Sequence, residues 1–304
     1  MKHLVSTAYG ALLRQHDIPT ALAMLHKAGY DAVDFNLCTY CEAPDRPMYQ
    51  ENWRDWVKGI RDLMEENHLV VGQIHSHWKH ETQVNEDFSF DPPEQVIHDN
   101  FEAAAILGCK RLIFHPIQRF YRLPDAADRQ KVLDACVAWF RYLLPTAEKW
   151  GVEIHIENLF DHKHVQLEGD PFLAYCTADD ILYVVNQLNH PLVKICLDTG
   201  HANINKQDIG AMIRQFGDKL GSLHLNDNFG KIGPIYEDVH MLPGDGRINW
   251  KEVFAALHEI GYEGTLNMEP SASLQEQAPN IQFIRIKAAR DVVAALMENA
   301  QNGL

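Results

Sequence analysis

The chain has 304 residues, 46% of them hydrophobic, and carries 27 Lys and Arg against 42 Asp and Glu, for a formal net charge of −15 at pH 7. That is enough apolar material for a large buried core, and no stretch approaches the roughly 18 unbroken apolar residues of a membrane span. So acidic a chain disfavours a phosphate backbone as partner, because nucleic-acid binding shows a basic footprint. The opening residues lead straight into a strand-like run and lack the apolar core and small-residue cleavage site of a signal peptide, so a cytoplasmic protein is expected. The six cysteines, Cys38, Cys41, Cys109, Cys136, Cys176 and Cys196, are expected to be reduced. The lone C-x-x-C at Cys38 and Cys41 has no second pair or His pair to complete a structural zinc site.

Short apolar runs alternate with longer amphipathic segments along the chain. Leu4–Ala8 reads as a strand and Ile18–Ala28 as a helix with Ile18, Ala21, Leu22, Leu25 and Ala28 on one face. The next strand, Ala32–Asn36, precedes a helix over Trp53–Glu66, whose Trp53 and Trp56 recur at helical spacing and are assigned to the core. Val70–His75 and Gln95–Leu107 follow, then Arg111–His115 and Asp128–Trp150, then Glu153–Glu157 and Ala178–Leu188. The series ends with Val193–Leu197 and Asp208–Phe216, Ser222–Leu225 and Trp250–Ile260, and Thr265–Glu269 and Asn280–Glu298. Glycines stop several helices just before the next strand, at Gly29, Gly108, Gly151 and Gly261. Eight strand–helix units without a composition break predict one (β/α)₈ barrel domain over residues 1–304, close to the ~250 residues typical of that fold. An open doubly wound sheet lacks support, because no glycine-rich fingerprint follows the first strand.

The chemistry is concentrated at the C-terminal ends of the strands. The third ends in His75-Ser76-His77, the fourth in His115-Pro116, the fifth in Glu157-Asn158 and the sixth in Asp198-Thr199-Gly200-His201. The seventh carries His224-Leu225-Asn226-Asp227, and the eighth ends in Glu269-Pro270. In a barrel these ends converge on one mouth, where active sites lie. Any one such residue is more commonly a solvated loop side chain, but six consecutive strands in register weaken that reading. Glu157, Asp198, His224 and Glu269 supply three carboxylates and one imidazole, a set suited to a hard or borderline divalent ion such as Mn²⁺, Mg²⁺, Co²⁺ or Zn²⁺. Further on, Asp238-Val239-His240 places an acid and a histidine two residues apart, pointing the same way on an extended segment. They could join the metal or grip a substrate; the alternative is a solvated loop around the Pro243-Gly244 turn. Trp78, beside His77, is a candidate sugar-stacking surface. Arg247, Lys79 and Lys231 could meet a phosphate but read more simply as solvated charges, and His162 and His164 as loop histidines.

The segments IFHP (113–116), IEN (156–158), CLDTGH (196–201), LHLND (223–227), DVHMLPGDGRINW (238–250) and NMEP (267–270) resemble the xylose-isomerase-like TIM-barrel superfamily. That superfamily contains sugar and sugar-phosphate isomerases and epimerases, inosose dehydratases and the endonuclease IV type of abasic-site nuclease. The resemblance implies that Glu157, Asp198, His224 and Glu269 are the single-metal set of the isomerases and epimerases, and that His201 is their substrate-contacting histidine. It also implies that His77, His115, His201, Asp238 and His240 match the additional ligands of the nuclease branch, with His77 preferred over His75.

Two mechanisms follow. In the favoured one, a metal polarises a ketose carbonyl, Glu157 and Glu269 remove and return a proton through an enediolate, and His201 hydrogen-bonds the developing charge. In the alternative, Glu157 bridges two of three zinc ions that hydrolyse a phosphodiester; the −15 charge opposes it. A dehydratase-like lyase and a non-catalytic binder remain further alternatives. A small carbohydrate is the expected partner. The oligomeric state stays open, although acidic barrels of this kind often pair.

Overall fold

A computed structural model describes residues 3–76, 84–118, 126–160, 174–230 and 238–304. Eight parallel strands form one sheet: β1 (Val5–Ala8), β2 (Ala32–Asn36), β3 (Val70–His75), β4 (Arg111–Phe114), β5 (Glu153–Glu157), β6 (Val193–Asp198), β7 (Leu220–His224) and β8 (Leu266–Met268). Consecutive strands pair up to β7, and β8 pairs back with β1. The Leu225 N–H donates to the Asn267 carbonyl at 2.7 Å across the seam between β7 and β8. The fold is the expected (β/α)₈ barrel.

The helices are α1 (Ile18–Ala28), α2 (Trp53–Glu66), α3 (Gln95–Ile106), α4 (Ala126–Trp150), α5 (Ala178–Leu188), α6 (Thr199–Ile204), α7 (Ile209–Phe216), α8 (Trp250–Glu259), α9 (Ser271–Leu274) and α10 (Pro279–Gln301). Their ends follow local chemistry. Asp17 caps α1 by accepting from the Thr20 N–H at 2.9 Å, and Gly29 closes it in the left-handed region at φ 89°. Two elements were not expected: α6 and α9, short helices that begin directly after β6 and β8. Among the described residues, no helix is long and apolar enough to cross a membrane. All six cysteines are free and buried, as expected.

Side chains alternate across each strand. Phe35, Ile74, Leu112, Phe114, Ile154, Ile156, Ile195, Leu197 and Leu223 are essentially inaccessible and join the apolar layer shared with the helices, as do Trp53 and Trp56. The opposite face lines the barrel interior, which in this fold is usually filled with branched aliphatics. Here it is polar. Gln73 on β3 donates to the Leu223 carbonyl on β7 at 3.2 Å, and Asn267 beside β1 donates to Asp34 on β2 at 2.7 Å. Lower in the barrel, His155 bonds Ser222 Oγ at 2.8 Å and Glu153 at 3.0 Å.

Room for the His155 ring comes from a missing side chain. Ile195 pairs with Leu220 and Cys196 with Ser222, so Gly221 is an extra residue in β7. A Cβ at Gly221 would stand 2.4 Å from His155 Cε1. Gly221→Ala is therefore expected to lower unfolding stability by about 1–3 kcal/mol through overpacking. Gly59→Ala, on the open face of α2 where a Cβ meets nothing within 4 Å, should raise it by up to about 1 kcal/mol through helix propensity. Chemical denaturation of both variants checks the contrast, and equal effects would remove the packing argument.

Candidate active site

The strand ends gather one imidazole and three carboxylates. His224 Nδ1 lies 2.8 Å from Glu157 Oε1, 3.3 Å from Glu269 Oε2 and 3.9 Å from Asp198 Oδ2. Neighbouring amides hold these groups in place. Asn226 donates to Asp198 Oδ2 at 2.6 Å and to Glu269 Oε2 at 3.2 Å, while its own side-chain oxygen accepts from the Glu269 N–H at 3.1 Å. Asn158 brackets the Asp198 backbone, accepting from its N–H at 2.7 Å and donating to its carbonyl at 3.0 Å. Asp198 also caps α6, taking the His201 N–H on Oδ1 at 2.8 Å. The short helix thus begins on the same carboxylate that faces the cluster and sets the place of His201.

Two further groups flank this centre. On the β3–β4 side, His75 Nε2 and His115 Nε2 approach Glu157 Oε2 at 3.4 and 3.2 Å and each other at 3.3 Å. The nitrogen His75 Nδ1 is engaged by the Ser76 carbonyl at 2.9 Å, leaving Nε2 for the cluster. His75 reaches this group; His77, preferred from the sequence, lies outside the described residues together with Trp78. On the other side, His201 Nε2 is 3.5 Å from Asp238 Oδ2, and His240 reaches Asp238 Oδ2 at 3.0 Å and Glu269 Oε2 at 3.5 Å. Phe160 packs over the His201 ring, centroids 4.7 Å apart. Lys79, His162, His164 and Lys231 also fall outside the described residues. Arg247 is exposed, with its backbone N–H donated to the Asn228 carbonyl at 3.0 Å.

Asp227 does different work from its strand-end neighbours. Its buried carboxylate accepts from the N–H groups of Asn228, Gly244, Gly246 and Ile248 at 2.9–3.2 Å and from Trp250 Nε1 at 2.8 Å. Its backbone exchanges two 3.0 Å bonds with Met241. The segment with Asp238 and His240 is thereby tied to β7 and turned toward the mouth rather than left as a solvated loop. Sequence reasoning also passed over Asp34, whose Oδ2 lies 3.5 Å from His224 Nε2. The available signal was a charged residue inside a run otherwise buried, Ala32-Val33-Asp34-Phe35.

The carboxylates and imidazoles hold one another's charges. Burial disfavours the His224 and His201 cations, yet the surrounding carboxylates outweigh it and hold both well above the usual imidazole range. His240 rises to about 9, burial again being overcome by Asp238 and Glu269. Burial acts to raise Glu157 and Asp238, but adjacent imidazoles hold both below the ordinary carboxylate range. Asp198 is raised, chiefly by burial.

The donor set fits a divalent cation. His75, His115 and Glu157 form one group with donor atoms within 4.8 Å of one another; Asp198, His201 and His240 form a second, and Glu157 and His224 take part in a third with Cys196. Glu157 Oε2 is buried without a hydrogen bond although two imidazole nitrogens stand beside it. Burial pushes the Cys196 thiol up to about 12, which leaves oxygen and imidazole as the available donors at neutral pH.

Residues 22–287 match the family described as Xylose isomerase-like TIM barrel, and the chain belongs to it. A D-psicose 3-epimerase of Ruminiclostridium cellulolyticum is 34% identical over 143 residues, 47% of this chain and 43% of the relative. A D-psicose 3-epimerase of Enterocloster bolteae is 32% identical over 173 residues, 57% of this chain and 50% of the relative. The chain thus spans about half the length of these curated relatives. Over 99% of both chains it superimposes on a solved D-tagatose 3-epimerase-like protein with a TM-score of 0.71 at 19% identity, a likeness of fold.

The charge balance predicts a pH dependence. A histidine whose folded pKa is raised contributes stability that is fully present below its unfolded value, near 6.5, and is lost as pH rises through the folded one. Raised Asp198 acts in the same direction. Metal-free protein should therefore melt at progressively lower temperature from pH 7 to pH 9, with His240 titrating at about 9. Added divalent metal should oppose that loss, since ligation favours the deprotonated imidazole. Scanning calorimetry with chelator and with Mn²⁺ tests this; a metal-free melting temperature that rises with pH would contradict it.

Proposed function

We propose that the chain is a divalent-metal-dependent isomerase or epimerase of a ketose or ketose phosphate. The observation that carries this reading is the convergence of two carboxylates, Glu157 and Glu269, on His224 Nδ1 at 2.8 and 3.3 Å. Inverting a carbon beside a carbonyl requires one base to take a proton and a second acid to return one on the other face. The names of the D-psicose 3-epimerase relatives support the same class of substrate.

Glu157, Asp198, His224 and Glu269 would hold the ion. When bound there, a divalent cation polarises a ketose carbonyl and balances the charge that builds on its oxygen. Glu157 takes the proton from the neighbouring carbon, leaving an enediolate, and Glu269 delivers one from the opposite side. His201 donates to the substrate oxygen that gains charge; its Nδ1 donates to the Asn158 carbonyl at 2.8 Å, and in the imidazolium form, which the surrounding carboxylates favour, Nε2 carries a second N–H for the substrate. The low basicity of Glu157 comes from charged imidazoles beside it.

The second reading, a multinuclear phosphodiester hydrolase, is favoured by the His75–His115–Glu157 and Asp198–His201–His240 groups. The net charge of −15 disfavours a nucleic-acid substrate. Metal content separates the readings. About one Mn²⁺, Mg²⁺ or Co²⁺ per chain with C3 epimerisation in a ketose panel is the expected result, followed by NMR in D₂O with deuterium entering at the inverted carbon. Two or three tightly held zinc ions with no ketose turnover would replace the proposal by the hydrolase. Glu157→Gln and Glu269→Gln should each lower kcat by about 10²–10⁴, the scale of general acid–base catalysis. Near-normal turnover in both would exclude them as the bases.

A further inference from the structure

We infer that Asp34 is the positioning residue for His224, fixing its ring so that Nδ1 presents a lone pair to the metal, an inference that rests on His224 holding the ion as proposed above. The ring is shared between two environments. Nδ1 faces Glu157, Glu269 and Asp198, whereas Nε2 faces Asp34 Oδ2 at 3.5 Å across the barrel from β2. Both partners are buried, and His224 Nε2 and Asp34 Oδ1 have no hydrogen-bond partner. The nearest acceptor for an Nε2 proton is thus this carboxylate. A histidine that ligates through one nitrogen commonly donates the other N–H to a carboxylate, which fixes tautomer and ring orientation.

Asp34 is itself rigidly held. Its Oδ2 accepts from Gln73 Nε2 at 2.9 Å and Asn267 Nδ2 at 2.7 Å, and Asn267 Oδ1 accepts from Ser6 Oγ at 2.7 Å. Strands β1, β2, β3 and β8 therefore fix the carboxylate, and through it the ring on β7. The same bonds argue against Asp34 as a direct ligand. The oxygen nearest the ring is already occupied by two amide donors, and it lies on the Nε2 side while the other three carboxylates lie on the Nδ1 side. One planar ring cannot turn both nitrogens to one ion.

The test is Asp34→Asn, measured by titration calorimetry with Mn²⁺ and Zn²⁺ against the chelator-treated protein. Metal affinity should fall by about 10–100-fold, the usual consequence of losing such a partner, with the number of ions per chain unchanged and the metal-free melting temperature close to wild type. Nitrogen-15 NMR of the Zn²⁺-loaded wild type, with the ring assigned through His224→Gln, should show Nε2 protonated. That spectrum stands if the variant does not fold, and a wild type that takes up no metal in the same titration would overturn the proposed function and the assignment with it. Affinity within twofold of wild type, the loss of one ion per chain, or a wild-type ring protonated on Nδ1 would each overturn the assignment.

Discussion

Everything at the barrel mouth depends on burying several carboxylates together. Glu157 and Asp198 are almost completely inaccessible, and Asp34 stands just below them. An isolated buried carboxylate is prohibitively unfavourable and would take up a proton instead. Here the imidazoles of His75, His201, His224 and His240, all held above the usual range by the carboxylates, supply the compensation, and the metal-free site is a network of mutual charge pairing. A divalent ion held by the proposed ligands would replace those protons with a fixed charge at the same place. The two forms would be alternative solutions to one electrostatic problem, with proton release linked to metal uptake.

That constraint extends downward through the barrel. A purely aliphatic interior would leave the underside of His224 with no acceptor and Asp34 with no donor. The polar interior of Ser6, Asp34, Gln73 and Asn267 gives Asp34 its donors and holds its carboxylate 3.5 Å from His224 Nε2. Such a network is useful only when nearly every member is satisfied. Its remaining unpaired atoms, Asp34 Oδ1, Gln73 Oε1 and His224 Nε2, are clustered directly under the metal candidates. Stability thus resides in the apolar layer between strands and helices, while the interior is given over to orienting side chains.

Much of this was legible in the sequence, and the reasons are physical. Strand-to-helix alternation gave the barrel because each element is long enough to show its period, and the glycine stops at Gly29 and Gly261 adopt left-handed backbone in the structure. Glu157, Asp198, His224 and Glu269 stood out because a barrel converges its strand ends by topology alone. The segments α6 and α9, at six and four residues, are too short to show a helical period. Asp34 was hidden because it sits mid-strand rather than at a strand end. His75 and His77, adjacent but one, would share a face on a regular strand, so alternation alone could not separate them. The part played by Asp227 was not legible, because residue type does not distinguish a carboxylate that binds cations from one that collects N–H donors.

Asp227 shows how the mouth combines rigid and tethered parts. Glu157, Asp198 and His224 end strands whose backbones are hydrogen-bonded on both sides, so their positions are set by the sheet. Asp238 and His240 lie on an irregular segment, and loops generally owe their position to a few contacts. Four of the donors collected by Asp227, on Gly244, Gly246, Ile248 and Trp250, together with the Met241 bridge, supply those contacts downstream of His240. Gly246 is fitted to that anchor, since a Cβ there would stand 2.2 Å from Asp227 Oδ1. Asp227 and the proposed ligand His224 are three residues apart in the chain, so one strand end carries both the imidazole of the charge cluster and the carboxylate that brings the loop to it. A shift of that strand end would move both groups together, which couples the strand-borne donors to the loop-borne ones by covalent connection rather than by contact across the site.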